Sequence, residues 1–199
     1  MTSYTRIVIK VGSNTLTGGT TKVDRLYVAA LVNQLCDLRE RGVDVVLVSS
    51  GAIAAGLEAL ALKERPTDMP SLQAAASVGQ VKLVETYAGL FGERGIIVGQ
   101  VLLTRHDTGH RESYLHARHT FERLLAMGTV PIVNENDTVA VEEIRFGDND
   151  TLAALVATRR PGSMRERWSA FTGERLGSAP PVISLIEAGP GGGKRASTI

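Results

Sequence analysis

The chain has a single cysteine, Cys36, among its 199 residues. One thiol excludes an internal disulfide framework and fits a reducing compartment; it falls in an apolar helical pattern and reads as a buried thiol. No segment reaches the roughly 18 continuous apolar residues that a membrane helix requires. The opening MTSYTRIVIKVG moves straight into a short strand-like run and has no signal-peptide core. These absences make a cytoplasmic protein without a membrane partner the expectation. Net charge is only +1, which supplies no whole-chain attraction for nucleic acid. The phosphate-loop pattern G-x-x-x-x-G-K-[ST] is also missing.

What the chain does have is 43% hydrophobic residues, ample for one core. Ile7-Val8-Ile9 with Val11 is short, continuous and β-branched, the mark of a buried parallel strand. Asp24 to Glu40 carries apolar residues at helical period and stops at Gly42. Val43 to Val48 repeats the strand signature and runs into Ser49-Ser50-Gly51 and a helix of small residues. Pro70 is placed to open the next helix, with Ser71 to Leu90 as its largely buried body. Ile96 to Leu103 predicts a third strand, Tyr114 to Met127 a helix, and Thr129 to Val133 a fourth strand. Strand and helix alternate, so the expectation is an α/β fold: a mostly parallel open sheet between helices, a three-layer αβα sandwich.

Two polar clusters stand directly beside apolar segments, Asn134-Glu135-Asn136-Asp137 and Asp148-Asn149-Asp150. Buried without partners, such groups cost roughly 1 to 3 kcal/mol each. Either both are turns, for which Asn, Asp and Gly have the geometry, or they face a polar ligand at strand tips. Asn149 or Asp150 is also suited to cap a helix through Thr151 to Val156. Lys10, at the end of the first strand, precedes Gly12-Ser13-Asn14 and Gly18-Gly19; free backbone amides beside a lysine suit a phosphate, although a lone lysine at a strand end is more often an ordinary surface residue. Ser50 offers a hydroxyl at a helix N-terminus. The four histidines lie between His106 and His119, and His116 and His119 share a helix face, read as a solvated face with no metal site.

Taken together, IVIKVGSNTL, VVLVSSGAIAAG, YLHARHTFERLL, VPIVNENDTV and FGDNDTLAALVA resemble the amino-acid kinase family, in its glutamate 5-kinase branch. The resemblance covers residues 1–157. It implies transfer of a phosphoryl group from ATP, with Mg²⁺, to the side-chain carboxylate of L-glutamate, giving γ-glutamyl phosphate in the first step of proline synthesis. By matching motif it implies that Lys10 contacts the ATP phosphates, with Gly12 and Ser13 as backbone donors near the transferred group. It further implies that Ser50, Gly51, Asn134, Asp137, Asp148 and Asn149 belong to the glutamate site, and that Asp150 orients a catalytic lysine. A homo-oligomer is implied as well. Two readings of other kinds stay open: a module that binds an amino acid without turnover, and a kinase for another small carboxylate.

Residues 158–199 depart from the family pattern. The expected S/T-D-x-D/E-G-L-Y turn and the G-T-G-G-M-x-T-K loop do not occur. In their place stands a segment with seven Gly and four Pro, seven basic residues and three acidic ones, against 15 basic and 18 acidic before it. Val182 to Ile186 is its one strand-like run. The expectation is therefore a kinase domain incomplete at its C-terminal side, followed by a divergent basic tail from a shifted frame or truncated gene. Feeble or absent catalysis would follow, with a sheet short of strands and exposed at its edge.

Overall fold

The computed structural model describes residues 6–139, 148–157 and 184–187. Strand β1 (Arg6–Val11) leads through a short helix α1 (Ser13–Thr17) into α2 (Arg25–Glu40) and β2 (Asp44–Ser49). Helices α3 (Ala52–Ala59) and α4 (Met69–Gly92) carry the chain to β3 (Val98–Leu103); α5 (Arg105–Gly109) and α6 (Arg111–Ala126) return it to β4 (Val130–Glu135). Helix α7 (Asp148–Ala157) and strand β5 (Ser184–Glu187) complete the described elements. The sheet order is β3-β4-β2-β1-β5. All pairings are parallel except β1 with β5, which is antiparallel.

Period-two alternation in the strands sorts the two faces. Ile7, Ile9 and Val11 of β1 and Val45 and Leu47 of β2 pack on one side against Val28, Leu31 and Leu35 of α2 and Leu83, Tyr87 and Phe91 of α4. Val8, Val46, Val48 and Val133 turn to the other side and meet Phe121 and Leu125 of α6 and Leu152 and Ala153 of α7. Each fully buried Leu, Ile or Phe contributes about 1.5–3 kcal/mol, so the continuous strands are held because both faces are covered. Cys36 lies in the first of these layers, and burial pushes its thiol pKa up.

Local signals set the helix starts. Asp24 accepts a hydrogen bond from the Tyr27 N–H at 3.0 Å and opens α2. Asp68 accepts from the Ser71 N–H at 2.9 Å and opens α4, with Pro70 in its first turn. That N–H bond holds the Asp68 carboxyl below the usual carboxylate range. Helices α3 and α4 touch backbone to backbone: a Cβ added to Gly56 would sit 1.8 Å from the Ala75 carbonyl oxygen, and one added to Gly79 would sit 1.7 Å from that of Ala52.

The amino end of the sheet is tied by charge. Asp44 accepts from Arg6 and from Arg39, each at 3.2 Å, and Arg39 also donates to the Gly128 carbonyl. No ligand-like cluster of amides forms at that end among the described residues. The opposite, carboxyl end is where the polar residues singled out in the sequence gather.

Several expectations change. The loop foreseen after β1 is in part the helix α1, whose N-cap is Gly12 and whose left-handed C-cap is Gly18 at φ 60°; its amides belong to a helical turn rather than an open nest. The stretch from Arg105 to Met127 is two helices, broken at His110, whose extended backbone (φ −100°, ψ 121°) cannot continue α5. A capping box between Thr104 and Asp107 starts α5. Helix α7 begins at Asp148, so Asn149 and Asp150 stand inside its first turn rather than at its cap. The strand foreseen at Val182–Ile186 is found as Ser184–Glu187, pairing Ile7 to Lys10 with Glu187 to Ser184. The β1 edge is thus paired rather than open, because its outward N–H and C=O groups find those of β5. The remainder of the 158–199 tail lies outside the described residues.

Candidate functional site

Helices leave β2 and β4 toward opposite faces: α3 and α4 on the side of α2, α7 on the side of α6. Adjacent parallel strands whose connections diverge in this way open a crevice at their carboxyl ends. Lys10 pairs with Val48 across β1 and β2, and Val48 with Val133 across β2 and β4. The next residues, Ser49-Ser50-Gly51 from β2 and Asn134-Glu135 from β4, form the rim of that crevice.

Alternation explains where Lys10 goes. Ile7 and Ile9 face α2, so Lys10 falls on the α7 side with Val8. There its Nζ meets Asp150 Oδ1 at 2.7 Å, the lysine side chain 17% exposed and the aspartate 33%. Partial burial screens such a pair less than an exposed one and fixes the ammonium in place. Gly12 makes room for it: a Cβ there would lie 3.3 Å from Lys10 Nζ. Ser13, half-buried, follows Gly12 as the first residue of α1.

A second group of polar side chains forms a continuous chain of amides. The Glu135 backbone N–H donates to Asn149 Oδ1 at 3.2 Å. Asn149 Nδ2 then donates to Ser50 Oγ at 2.8 Å and to Asn134 Oδ1 at 2.9 Å. Asn134 Nδ2 donates in turn to Gln80 Oε1 at 2.7 Å. Asn134 is 2% exposed, with both ends of its amide engaged, so it stands behind Asn149 and supports it. Beneath Ser50, the Ser50 N–H donates to the Val11 carbonyl at 3.0 Å, tying the ends of β1 and β2 together. The Ser49 hydroxyl shares a 2.9 Å hydrogen bond with the phenol of Tyr87. Burial pushes the Tyr87 pKa far up, so the phenol stays protonated.

Gly51 turns the chain from β2 into α3 in the left-handed region at φ 98°, where a Cβ would come within 3.0 Å of Leu16 Cδ1. This is a position that glycine fills without strain. Asp137 stands half-buried in the turn just after β4, where the Asn136 N–H donates to the Leu103 carbonyl and the Val139 N–H to that of Asn136. Asp148 opens α7, next to Asn149.

The structure therefore brings Lys10, Gly12, Ser13, Ser50, Gly51, Asn134, Asn149 and Asp150 to one rim, with Asp137 and Asp148 on the segments that flank it. His116 is largely exposed on α6. Sequence reasoning missed Gln80 and the Ser49–Tyr87 pair. The signal for Gln80 was present: it lies on the buried stripe Ala76, Gln80, Leu83, Tyr87 of α4, a polar residue at apolar spacing.

A mostly parallel sheet covered on both faces, with a lysine–aspartate pair and a chain of amides at its carboxyl rim, defines an α/β domain. Residues 5–159 match the model of the amino acid kinase family, and the chain belongs to that family. It is similar to proteins named glutamate 5-kinase: 51% identical over 152 residues to that of Methylococcus capsulatus, 56% over 152 residues to that of Moorella thermoacetica, and 51% over 158 residues to that of Clostridium acetobutylicum. These matches cover 76%, 76% and 79% of this chain. The chain spans 41%, 40% and 59% of the lengths of those three relatives.

Proposed function

We propose that this chain forms the glutamate-binding part of an ATP-dependent glutamate 5-kinase, acting on the side-chain carboxylate of L-glutamate in proline synthesis. The observation that carries the reading is the 2.7 Å pair of Lys10 and Asp150 on the same rim as the Ser50–Asn149–Asn134 chain. One group is suited to phosphate, the other to an amino acid, and they stand side by side.

The residue types fit the chemistry. Asp137, beside the rim, would hold the ammonium of glutamate. Ser50 and Asn149 would bind its oxygens, and Gly51 would let the substrate approach the backbone at the start of α3. The reacting carboxylate is already an anion near neutral pH, so no strong base is needed. An anion attacking a phosphoryl group requires positive charge and N–H donors where charge builds up. Lys10 would supply that charge, Asp150 would hold Lys10 in place, and Gly12 and Ser13 would add backbone donors. Gly12 would leave the Lys10 ammonium uncrowded on the side where the phosphates of ATP would lie. Mg²⁺ would screen the phosphates, arriving with the nucleotide; among the described residues no group of three or more His, Cys, Asp or Glu is placed to hold a metal. A homo-oligomer in the cytoplasm completes the reading; no helix among the described residues is long and apolar enough to cross a membrane.

A second reading keeps the glutamate site and drops turnover. It is favoured by residues 158–199, where the nucleotide motifs that the family resemblance implies do not occur. Calorimetric titration of the purified chain with L-glutamate, then with Mg-ATP, tests both readings. Glutamate binding followed by ATP-dependent hydroxamate formation with hydroxylamine supports the kinase; glutamate binding without hydroxamate supports the second reading. A folded chain that ignores glutamate at millimolar concentration sinks both.

A further inference from the structure

Among the side chains that the proposed chemistry leaves unused, Gln80 is joined to the amide chain of the site by a direct hydrogen bond. It sits on α4, 9% exposed, and its Oε1 accepts from Asn134. Its Nε2 is buried with no hydrogen-bond partner among the described residues. A Leu or Met of similar size would remove this unpaired donor, a cost proteins usually avoid, but would take the acceptor from Asn134 Nδ2. The amide is therefore present for its oxygen.

The direction of the amide chain shows what that oxygen does. The Glu135 main-chain N–H can only donate, so it fixes Oδ1 of Asn149 as the acceptor. Asn149 Nδ2 must then face Ser50 and Asn134 Oδ1, and Asn134 must present Nδ2 to Gln80. Turning over any one amide alone would set N–H against N–H or oxygen against oxygen. Gln80 is the far anchor of the series. It is held rigidly because its neighbour Gly79 lies against the α3 backbone, where an added Cβ would come within 1.7 Å of the Ala52 carbonyl oxygen.

We propose that Gln80 is a positioning residue of this site: by accepting from Asn134 it holds in place the Asn149 orientation that the Glu135 N–H selects, so that Asn149 and Ser50 meet the ligand in one orientation. This role in binding rests on the glutamate reading above. The orienting relay itself does not depend on it.

The test labels asparagine side chains with ¹⁵N and compares the unmodified chain with Gln80→Met and Gln80→Glu. In the unmodified chain, the NH₂ protons of Asn134 and Asn149 exchange slowly with water. Gln80→Met, which removes the acceptor, disorders the signals of both residues, although Asn149 does not bond Gln80. Gln80→Glu keeps an oxygen at the same place and leaves both signals ordered. Glutamate affinity falls about tenfold in Gln80→Met, the effect of one weakened hydrogen bond to a charged ligand. Because the two residues act as one unit, Gln80→Met adds less than about twofold on top of Asn149→Ala. A change confined to Asn134, fast exchange of both side chains in the unmodified protein, or strictly additive losses would overturn the proposal. If the unmodified chain does not bind glutamate, the functional reading falls while the asparagine signals still decide the relay. If Gln80→Met does not fold, slow exchange in the unmodified chain and the Gln80→Glu spectrum decide it.

Discussion

Asn149 and Lys10 divide the work of the site between two kinds of contact. Asn149 uses both ends of its amide, accepting from the main chain and donating to Ser50 and Asn134. Asn149→Ala is expected to weaken glutamate binding roughly 10- to 100-fold and to lower the melting temperature by about 2–4 °C, since Asn134 Oδ1 and the Glu135 N–H lose a partner, read by calorimetry and thermal denaturation. Lys10 is instead paired with Asp150, which aims it. Lys10→Ala should leave glutamate binding in place while lowering hydroxamate formation roughly 100- to 1000-fold, the usual effect of losing one donor to the transferred group. Equal loss of binding in both variants would contradict this division. Lys10, Ser50, Asn149 and Asp150 could be singled out in the sequence because they are polar residues beside apolar segments, although a turn or a surface lysine was an ordinary reading of the same residues. Gln80 was not, because a lone glutamine within a long helix usually faces water, and only packing shows that this one does not.

At the scale of elements, the contact between α3 and α4 holds together two helices that both reach the site. Helix α3 starts at the Ser50-Gly51 turn, and α4 carries Gln80 and Tyr87. They lie close enough that Gly56 and Gly79 have no room for a side chain. Gly79→Ala is expected to destabilise the fold by about 1–3 kcal/mol or more, since backbone rather than a movable side chain must give way. Chemical denaturation measures that loss, and glutamate affinity should fall with it. The cap of α2 is a milder case: Asp24→Ala should cost about 1 kcal/mol, with the site unaffected. Strands β1, β2, β3 and β4 and helices α2, α4 and α6 were visible as patterns, and Asp24 and Pro70 marked the starts of α2 and α4 to within a residue or two. The short helix α5 was not foreseen, although Gly109, its last residue, is a common helix stop.

For the whole molecule, pH dependence follows from groups held in one protonation state by the fold. Burial raises the Tyr87 pKa above its ordinary value of about 10. The unfolded chain therefore loses this proton first, so the stabilisation is complete below about pH 10 and declines as pH rises through the folded value. Urea midpoints measured from pH 8 to 11 should fall at the alkaline end, and Tyr87→Phe should flatten that fall. On the acid side, hydrogen bonds from Ser71 and Thr104 lower the pKa values of Asp68 and Asp107. Their contribution is present above the usual carboxylate range, about pH 4, and is lost as pH falls through the folded values. At the same scale, β5 covers the outer edge of β1 from Ile7 to Lys10. A chain ending after Ala157 is expected to be less stable and to self-associate through that edge, which sedimentation would show.

The sequence by itself determined the layered α/β plan, since β-branched runs and helical periods answer to local geometry and to burial on one face or two. It also determined which polar residues stand at strand ends, and its motifs were enough to point to a kinase family. Only the tertiary structure decided that Lys10 meets Asp150, that Asn134 is a buried support, and that Gln80 belongs to the same chain of amides. Those facts depend on contacts between residues far apart in sequence, and a hydrogen bond across two helices and a sheet leaves no period in the sequence to read.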